Sequence, residues 1–309
     1  MINRVSIVGL GAVGAIYASR LDAFLGKDKV SVLVDSQRKE RYTTDGIYLN
    51  GEKKNFTYIS PSEIDSPMDL IIIATKNNQL LEVLPLIEKA VSENTTIISL
   101  LNGIDSEDVL SLKFPKAHIP YSFATAIDST RIKNRIDFST EGIIVMGEKD
   151  NSKSKRIIEI GNLFEKANIA YRIPENIQTE MWAKYMVNVS INTISAITRA
   201  NYGFCVGIKE IKHLIIETQK EVIALAKEVG IIGLDESYID RYQKIFSTLE
   251  KEGKTSMLQD IEAKRVSENR WFCITASTLA RKHNVKTPLI DTLGLLLAGI
   301  DEIHTLSAN

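Results

Sequence analysis

The 309-residue sequence is poor in cysteine, in clustered histidine and in long apolar runs, and each scarcity excludes a class of protein. Its two cysteines, Cys205 and Cys273, lie far apart, so no disulfide framework organises the chain and a reducing cytoplasm fits. His118, His213, His283 and His304 are scattered. With neither an H-x-x-H nor a C-x-x-C pattern, no structural or catalytic metal site is expected. No window approaches the ~20 apolar residues that cross a bilayer, and the opening "MINRVSIVGLGAVG" runs straight into a strand, so neither a membrane span nor a signal peptide is expected. Neither sign of charge is in excess: 38 Lys and Arg stand against 39 Asp and Glu, net −1. No whole-protein field draws the chain to nucleic acid or an anionic membrane.

What is present is ordinary globular composition, 44% hydrophobic and 25% charged, in a chain long enough for two domains. The first half alternates short β-branched runs, "RVSIVGL", "KVSVLVD", "DLIIIAT" and "TTIISLL", with helical patterns near 13–25 and 80–91. Continuous apolarity is how strands covered on both faces read, and strand–helix alternation predicts a doubly wound parallel sheet. "EGIIVMGE" at 141–148 adds a further strand. After "RIPENIQ" the periodicity becomes helical: 179–200, 208–229, 237–250, 257–283 and 289–304. The boundary is set near residue 172, dividing an α/β domain, 1–172, from an all-helical one, 173–309.

"VSIVGLGAVGAIYASRL" carries G-x-G-x-x-G between a strand and a helix, the context that makes this pattern a dinucleotide site. Gly9 allows the tight turn, Gly11 leaves room for a pyrophosphate, and Gly14 lets helix and strand pack. Leu10, Ala12 and Val13 complete the loop, and the helix start offers free N–H groups to phosphate. Asp35 ends the next strand about 20 residues on, where a carboxylate accepts the adenosine ribose hydroxyls and leans toward NADH. Arg38 leans toward a 2′-phosphate, so NADPH stays open, and Asp35 reads alternatively as a turn residue. Lys76 and Asn102 follow the carboxyl ends of two more strands, where ligands gather in open parallel sheets. Lys76 taken alone reads better as surface-loop chemistry.

The first helix of the second half holds a polar stripe in an apolar segment, "MWAKYMVNVSINTISAI": Lys184, Asn188 and Asn192 at four-residue spacing. By itself it reads either as a polar seam between helices or as a row of ligand contacts. In "SMLQDIEAKRVSE", Ser256 reads as an N-cap, and Asp260, Lys264 and Glu268 as a solvated i, i+4, i+8 face.

Taken together, in this order and spacing, "GLGAVG", "ATK", "LNG", "MWAKYMVNVSIN" and "SMLQDIEAKRVSE" resemble the ketopantoate reductase (2-dehydropantoate 2-reductase) family over essentially the whole chain. The resemblance implies a Rossmann domain joined to a helical domain with the active site in the cleft between them. It implies NAD(P)H-dependent reduction of a branched 2-oxo acid on the route to pantothenate. By motif, Lys184 resembles the family's catalytic lysine and Glu268 the carboxylate near the reacting centre. Asn188, Asn192 and Ser256 resemble its substrate contacts, and Lys76 and Asn102 the polar residues on the cofactor side. The chemistry is coherent: hydride transfer to a ketone builds negative charge on oxygen, which a lysine can stabilise and protonate.

The chain departs from the family at "ENRWFCI", with Arg270 in place of an acid and Cys273–Ile274 in place of an amide–glycine pair, and at "RANYG", where Tyr202 stands where an asparagine is common. On a regular helix Arg270 would point about 200° from Glu268, toward the surface. These changes leave two alternatives open: a reductase of another branched 2-oxo acid, and a non-enzymatic nucleotide sensor of the same fold. The expected partner is a small-molecule 2-oxo acid, with no nucleic acid or membrane partner; a homodimer stays open.

Overall fold

The structure is a computed structural model that describes residues 2–307, and the chain divides into two compact units, Met1–Ile177 and Gln178–Asn309.

The first unit is built on a five-stranded sheet. In chain order it contains β1 (Val5–Val8), α1 (Ala12–Leu25), β2 (Val30–Leu33), α2 (Ser36–Asp45), β3 (Ile47–Leu49), β4 (Glu52–Lys54) and β5 (Tyr58–Ile59). Then follow β6 (Leu70–Ile73), α3 (Leu80–Ile87), β7 (Thr96–Ser99), α4 (Ser106–Lys113), β8 (Tyr121–Ile132), β9 (Arg135–Gly147), α5 (Lys155–Lys166) and β10 (Tyr171–Arg172). Strand order in the main sheet is β5-β2-β1-β6-β7, every pairing parallel. β1, β2, β6 and β7 are buried along their whole length, because helices cover both faces. One core, with Ile7, Ile16, Val32, Ile72 and Ile98, lies on one side of the sheet. A second, with Val8, Leu33, Ile71, Ile73 and Ile97, lies on the other, as alternating side chains require. This is the doubly wound, Rossmann-type order.

A second sheet runs β10-β9-β3-β4, with β8 on β9. The β8–β9 hairpin is long and irregular, with a register shift at Asp128/Ser129. Periodicity anticipates only its end, 141–148, because the outer half is largely exposed and polar and carries no apolar alternation.

The second unit is helical among the described residues: α6 (Ile177–Val187), α7 (Thr193–Thr198), α8 (Tyr202–Gly207), α9 (Lys209–Glu228), α10 (Ser237–Thr248), α11 (Ser256–Glu262), α12 (Cys273–Lys282) and α13 (Pro288–Ser307). α6 starts at Ile177, the last residue of the first unit as divided above. Two predicted helices are interrupted. The one expected over 179–200 passes through a π-helical segment, Asn188–Asn192, between α6 and α7. The one expected over 257–283 stops at Glu262 and resumes at Cys273, with a 3-10 turn at Asn269–Trp271. Among the described residues no helix is long and apolar enough to cross a membrane.

Candidate active site

In the first unit the predicted cofactor residues sit at the carboxyl ends of adjacent strands. Gly9, at φ +96°, follows β1, and a side chain there would press on the Ala74 backbone at 2.8 Å. Gly14 packs so closely on the Gly9 carbonyl that no Cβ fits between them. Gly11 differs. A Cβ there would lie 3.6 Å from its nearest neighbour, the Ala74 carbonyl, so packing within the protein does not demand glycine. Gly11 is also the N-cap of α1 and offers no side chain to the first-turn N–H groups of Ala12, Val13 and Gly14. An open approach over uncapped amides is what a pyrophosphate needs, so these residues fit a dinucleotide.

Asp35 follows β2 and N-caps α2. Its carboxylate accepts from the Arg38 amide at 2.6 Å and from the Arg38 guanidinium at 2.6 Å. Partial burial works against its charge, but both bonds from Arg38 outweigh it and hold the carboxyl below the usual carboxylate range. Asp35 thus has a structural role at the start of α2, and its carboxylate holds the Arg38 guanidinium. Lys76, exposed, caps the 3-10 turn after β6, and Asn102 lies in the loop after β7. The Asn77 amide donates to the Asn102 carbonyl at 2.9 Å and ties these two loops together. One neighbour of the glycine loop carries no sequence signal at all: Arg131, at the far end of β8, donates to the Leu10 carbonyl across 121 positions of chain.

In the second unit Lys184 is half-buried on α6, and Asn188 and Asn192 are buried one and two turns on. The stripe is not the regular α-helical one that its spacing predicts. From Asn188 the helix widens to π geometry, a form frequent at functional sites. Ser190 Oγ donates to the Met186 carbonyl at 2.7 Å and Thr193 Oγ to the Asn188 carbonyl at 3.5 Å. Such back-bonding hydroxyls bend and loosen the helical ladder. The asparagines stay adjacent, Asn192 Nδ2 donating to Asn188 Oδ1 at 3.1 Å. The Asn188 amide nitrogen, buried, has no hydrogen-bond partner among the described residues. A buried donor left open costs about 1–3 kcal/mol, a cost that an acceptor brought to it would offset.

Glu268 does not lie on a helix, and the i, i+4, i+8 face through Asp260, Lys264 and Glu268 is not formed. Lys264 sits past the end of α11 at φ +53°, and Asp260 pairs instead with Arg265 at 2.8 Å. Glu268, half-buried, caps the 3-10 turn, between two neighbours clamped to α13. Ser267 bonds Asp301 through both its amide and its hydroxyl, at 2.9 and 2.6 Å. Asn269 Nδ2 donates to the Gly294 carbonyl at 2.8 Å. The same segment meets α6 beside the lysine, since Tyr185 Oη donates to the Phe272 carbonyl at 2.7 Å. Arg270 is exposed, as the helical argument expects but for another reason: it lies on the 3-10 turn, over the Trp271 ring at 5.8 Å. Cys273 is buried against Thr193, and burial pushes its thiol up to about 12, so it is inert packing.

Ser256 is not a cap. Thr255 caps α11, accepting from the Leu258 amide at 3.2 Å, which leaves Ser256 exposed on the first turn. Asn201 caps α8 by accepting from the Phe204 amide at 2.9 Å. The Tyr202 ring lies against Gly253, in the loop that leads to Ser256. Among the described residues no group of three or more His, Cys, Asp or Glu is arranged to hold a metal ion.

A glycine loop on a doubly wound sheet, followed by a helical unit, defines a Rossmann-type class of two-unit proteins. Profile comparison narrows it: residues 5–151 match "Ketopantoate reductase PanE/ApbA" and residues 176–301 its C-terminal counterpart. The chain belongs to the ketopantoate reductase family, whose members are oxidoreductases using a nicotinamide cofactor. It is 26% identical to 2-dehydropantoate 2-reductase of Pyrococcus abyssi over 96% of each chain. Its fold is similar to that of a dimeric ketopantoate reductase from Staphylococcus aureus, with TM-score 0.82, 22% identity, and coverage of 97% of this chain and 99% of that one. Its fold is also similar to that of D-mandelate dehydrogenase in a ternary structure with NADH and anilino(oxo)acetate, with TM-score 0.87, 20% identity, and coverage of 98% of this chain and 99% of that one.

Proposed function

We propose that this protein reduces 2-dehydropantoate (ketopantoate) to pantoate with NAD(P)H, a step of pantothenate biosynthesis. The observation that carries the reading is the Lys184–Asn188–Asn192 ladder, with a buried amide donor that the described residues leave open. The nicotinamide, when bound, supplies the hydride. Lys184 stabilises the charge that grows on the carbonyl oxygen and gives it a proton. Asn188 Nδ2 binds a substrate oxygen, and the π turn fixes its aim through Asn192. Ser256, whose hydroxyl is not used as a cap, binds the substrate carboxylate. Glu268, held between Ser267 and Asn269, orients the substrate hydroxyl or couples to Lys184. On the cofactor side, the uncapped start of α1 and Gly9, Leu10, Gly11, Ala12, Val13 and Gly14 hold the pyrophosphate, Asp35 the ribose, and Lys76 and Asn102 the nicotinamide end. Asp35 favours NADH. The dimeric relative supports a homodimer as the working assembly.

A second reading is favoured by the similarity in fold to D-mandelate dehydrogenase and by Tyr202 beside the Ser256 loop: reduction of a different 2-oxo acid. A competition assay separates the two, with ketopantoate set against 2-oxoisovalerate, pyruvate and phenylglyoxylate and scored by specificity constants. Ketopantoate is expected to win. A clear preference for another acid would remove the ketopantoate assignment, and nucleotide binding without turnover on any of the four would favour a sensor.

A further inference from the structure

Behind the Asn102 loop lies a carboxylate with no role in the chemistry above. Glu107, on the first turn of α4, is 3% exposed. Its Oε2 accepts from Ser106 Oγ at 2.9 Å, and its Oε1 from the Ser122 amide of β8 at 3.2 Å. Ser106 Oγ is 2.8 Å from Ser99 Oγ, at the end of β7. Ser99 Oγ also accepts from the Leu101 amide at 3.5 Å, one residue before Asn102. Ser122 Oγ closes the ring, donating to the Ser99 carbonyl at 2.9 Å and accepting from the Ser99 amide at 3.0 Å.

The direction of each bond can be worked out. With Glu107 ionised, Ser106 spends its one proton on the carboxylate, so Ser99 must donate to Ser106. Both lone pairs of Ser99 then remain for acceptance, and the Leu101 amide keeps its long bond to one of them. With Glu107 protonated, its own O–H can donate to Ser106. Ser106 then donates to Ser99, and the Ser99 hydroxyl proton must turn to one of its two remaining positions, one of which the Leu101 amide uses. Two hydroxyls thus connect Glu107 to the loop that carries Asn102. No such relay is needed to fill the space, because an apolar residue would pack there at less cost than a buried carboxylate.

We propose that Glu107 is a positioning residue for the cofactor side of the site: its ionised form fixes the loop from Leu101 to Asn102, and nicotinamide nucleotide affinity follows its charge. The proposal rests on the reading of Asn102 as a cofactor contact. Burial, above all, pushes the Glu107 carboxyl up to about 7, with the Asp105 carboxylate adding to it and the bonds from Ser106 and Ser122 opposing. Tyr121, next to Ser122 on β8, and the Asp108 and Lys149 charges that act on it face the same region. Tyr121 feels Asp108, Lys149 and Glu107 together, with Lys149 over its ring at 5.8 Å. Loop and affinity therefore change near neutral pH, the tight form lying on the alkaline side.

The test reads the loop and the affinity separately. Amide NMR shifts of Leu101 and Ser122 in the nucleotide-free protein are followed from pH 5.5 to 8.5. NADH and NADPH dissociation constants are then measured by fluorescence over the same range. The wild type is expected to show one midpoint near neutrality in both amides, with affinity severalfold weaker on the acid side. Glu107→Gln, an isosteric copy of the neutral form, should hold both amides flat and bind weakly at every pH. Ser106→Ala, which keeps the carboxylate and cuts the relay, should leave the Ser122 titration and abolish that of Leu101. If Leu101 does not titrate in the wild type, or titrates unchanged in Glu107→Gln, the relay is refuted. Amides that titrate while affinity stays constant refute the coupling. If no nucleotide binds at any pH, the cofactor reading fails, and with it the coupling, while the amide shifts still decide the relay.

Discussion

The two units solve the problem of presenting polar groups in opposite ways. In the first, polar groups on and behind the predicted cofactor side are satisfied by the protein: Asp35 by Arg38, the Asn102 carbonyl by Asn77, the Ser99 and Ser122 pair by each other. What the unit leaves open at its glycine loop is backbone, at the uncapped start of α1. In the second, a side chain is offered: Asn188 keeps a buried donor open in a widened helix. The difference suits the chemistry. A dinucleotide brings many polar atoms and tolerates a shared, general cradle, whereas a small 2-oxo acid has few, and each must meet a directed donor.

Mutations should separate the two halves along this line. The largest effect belongs to Lys184→Ala, which should keep nucleotide affinity and lose two to three decades of kcat, about 3–4 kcal/mol in the transition state. Near-normal turnover would show that the ladder is a packing seam. Next is Glu107→Gln, read as stability. The folded-state pKa of Glu107 is raised, so the folded protein holds a proton that the unfolded chain releases earlier, and stability falls as pH rises from about 4.5 toward 7. The variant should therefore melt higher than wild type at pH 8, by up to about 3 kcal/mol, and equally at pH 5. A lower melting temperature at both pH values would mean that the carboxylate only holds the fold.

Asn188→Ala comes third. Its loss should raise KM for the keto acid by about tenfold, roughly 1–2 kcal/mol, and should lower stability by about 1–3 kcal/mol, because Asn192 Nδ2 loses the Asn188 Oδ1 it donates to. A large drop in melting temperature with KM unchanged would make Asn188 a structural residue. The smallest effect is expected from Asp35→Asn, which should move the NADPH to NADH preference by about tenfold or less toward NADPH, as repulsion is lost and Arg38 is released. A parent enzyme that already prefers NADPH strongly would show that Arg38 turns to the phosphate.

The sheet was legible in the sequence because strands buried on both faces must be continuously apolar, as "LIII" and "TIIS" are. The β8–β9 hairpin was not, because its outer half buries little and its partners are remote in sequence. The ladder residues were readable from their mismatch with apolar neighbours, but not the π turn that holds them, since Ser190 and Thr193 look like ordinary small residues in a buried helix. The helical periodicity through 257–283 misled for a related reason: Asp260, Lys264 and Glu268 have helical spacing, while the chain reverses at Lys264 and is re-anchored by Asp301, over 30 residues away. Glu107 and Arg131 were invisible, because burial of a charge and a contact across 121 residues leave no local pattern.

The most direct test is steady-state turnover of the purified protein on ketopantoate, with NADH and NADPH compared side by side. Saturable oxidation of the cofactor, with a higher specificity constant for NADH and nearly all of it lost in Lys184→Ala, is the predicted result. Tight nucleotide binding with no ketopantoate-dependent oxidation of either cofactor would contradict it.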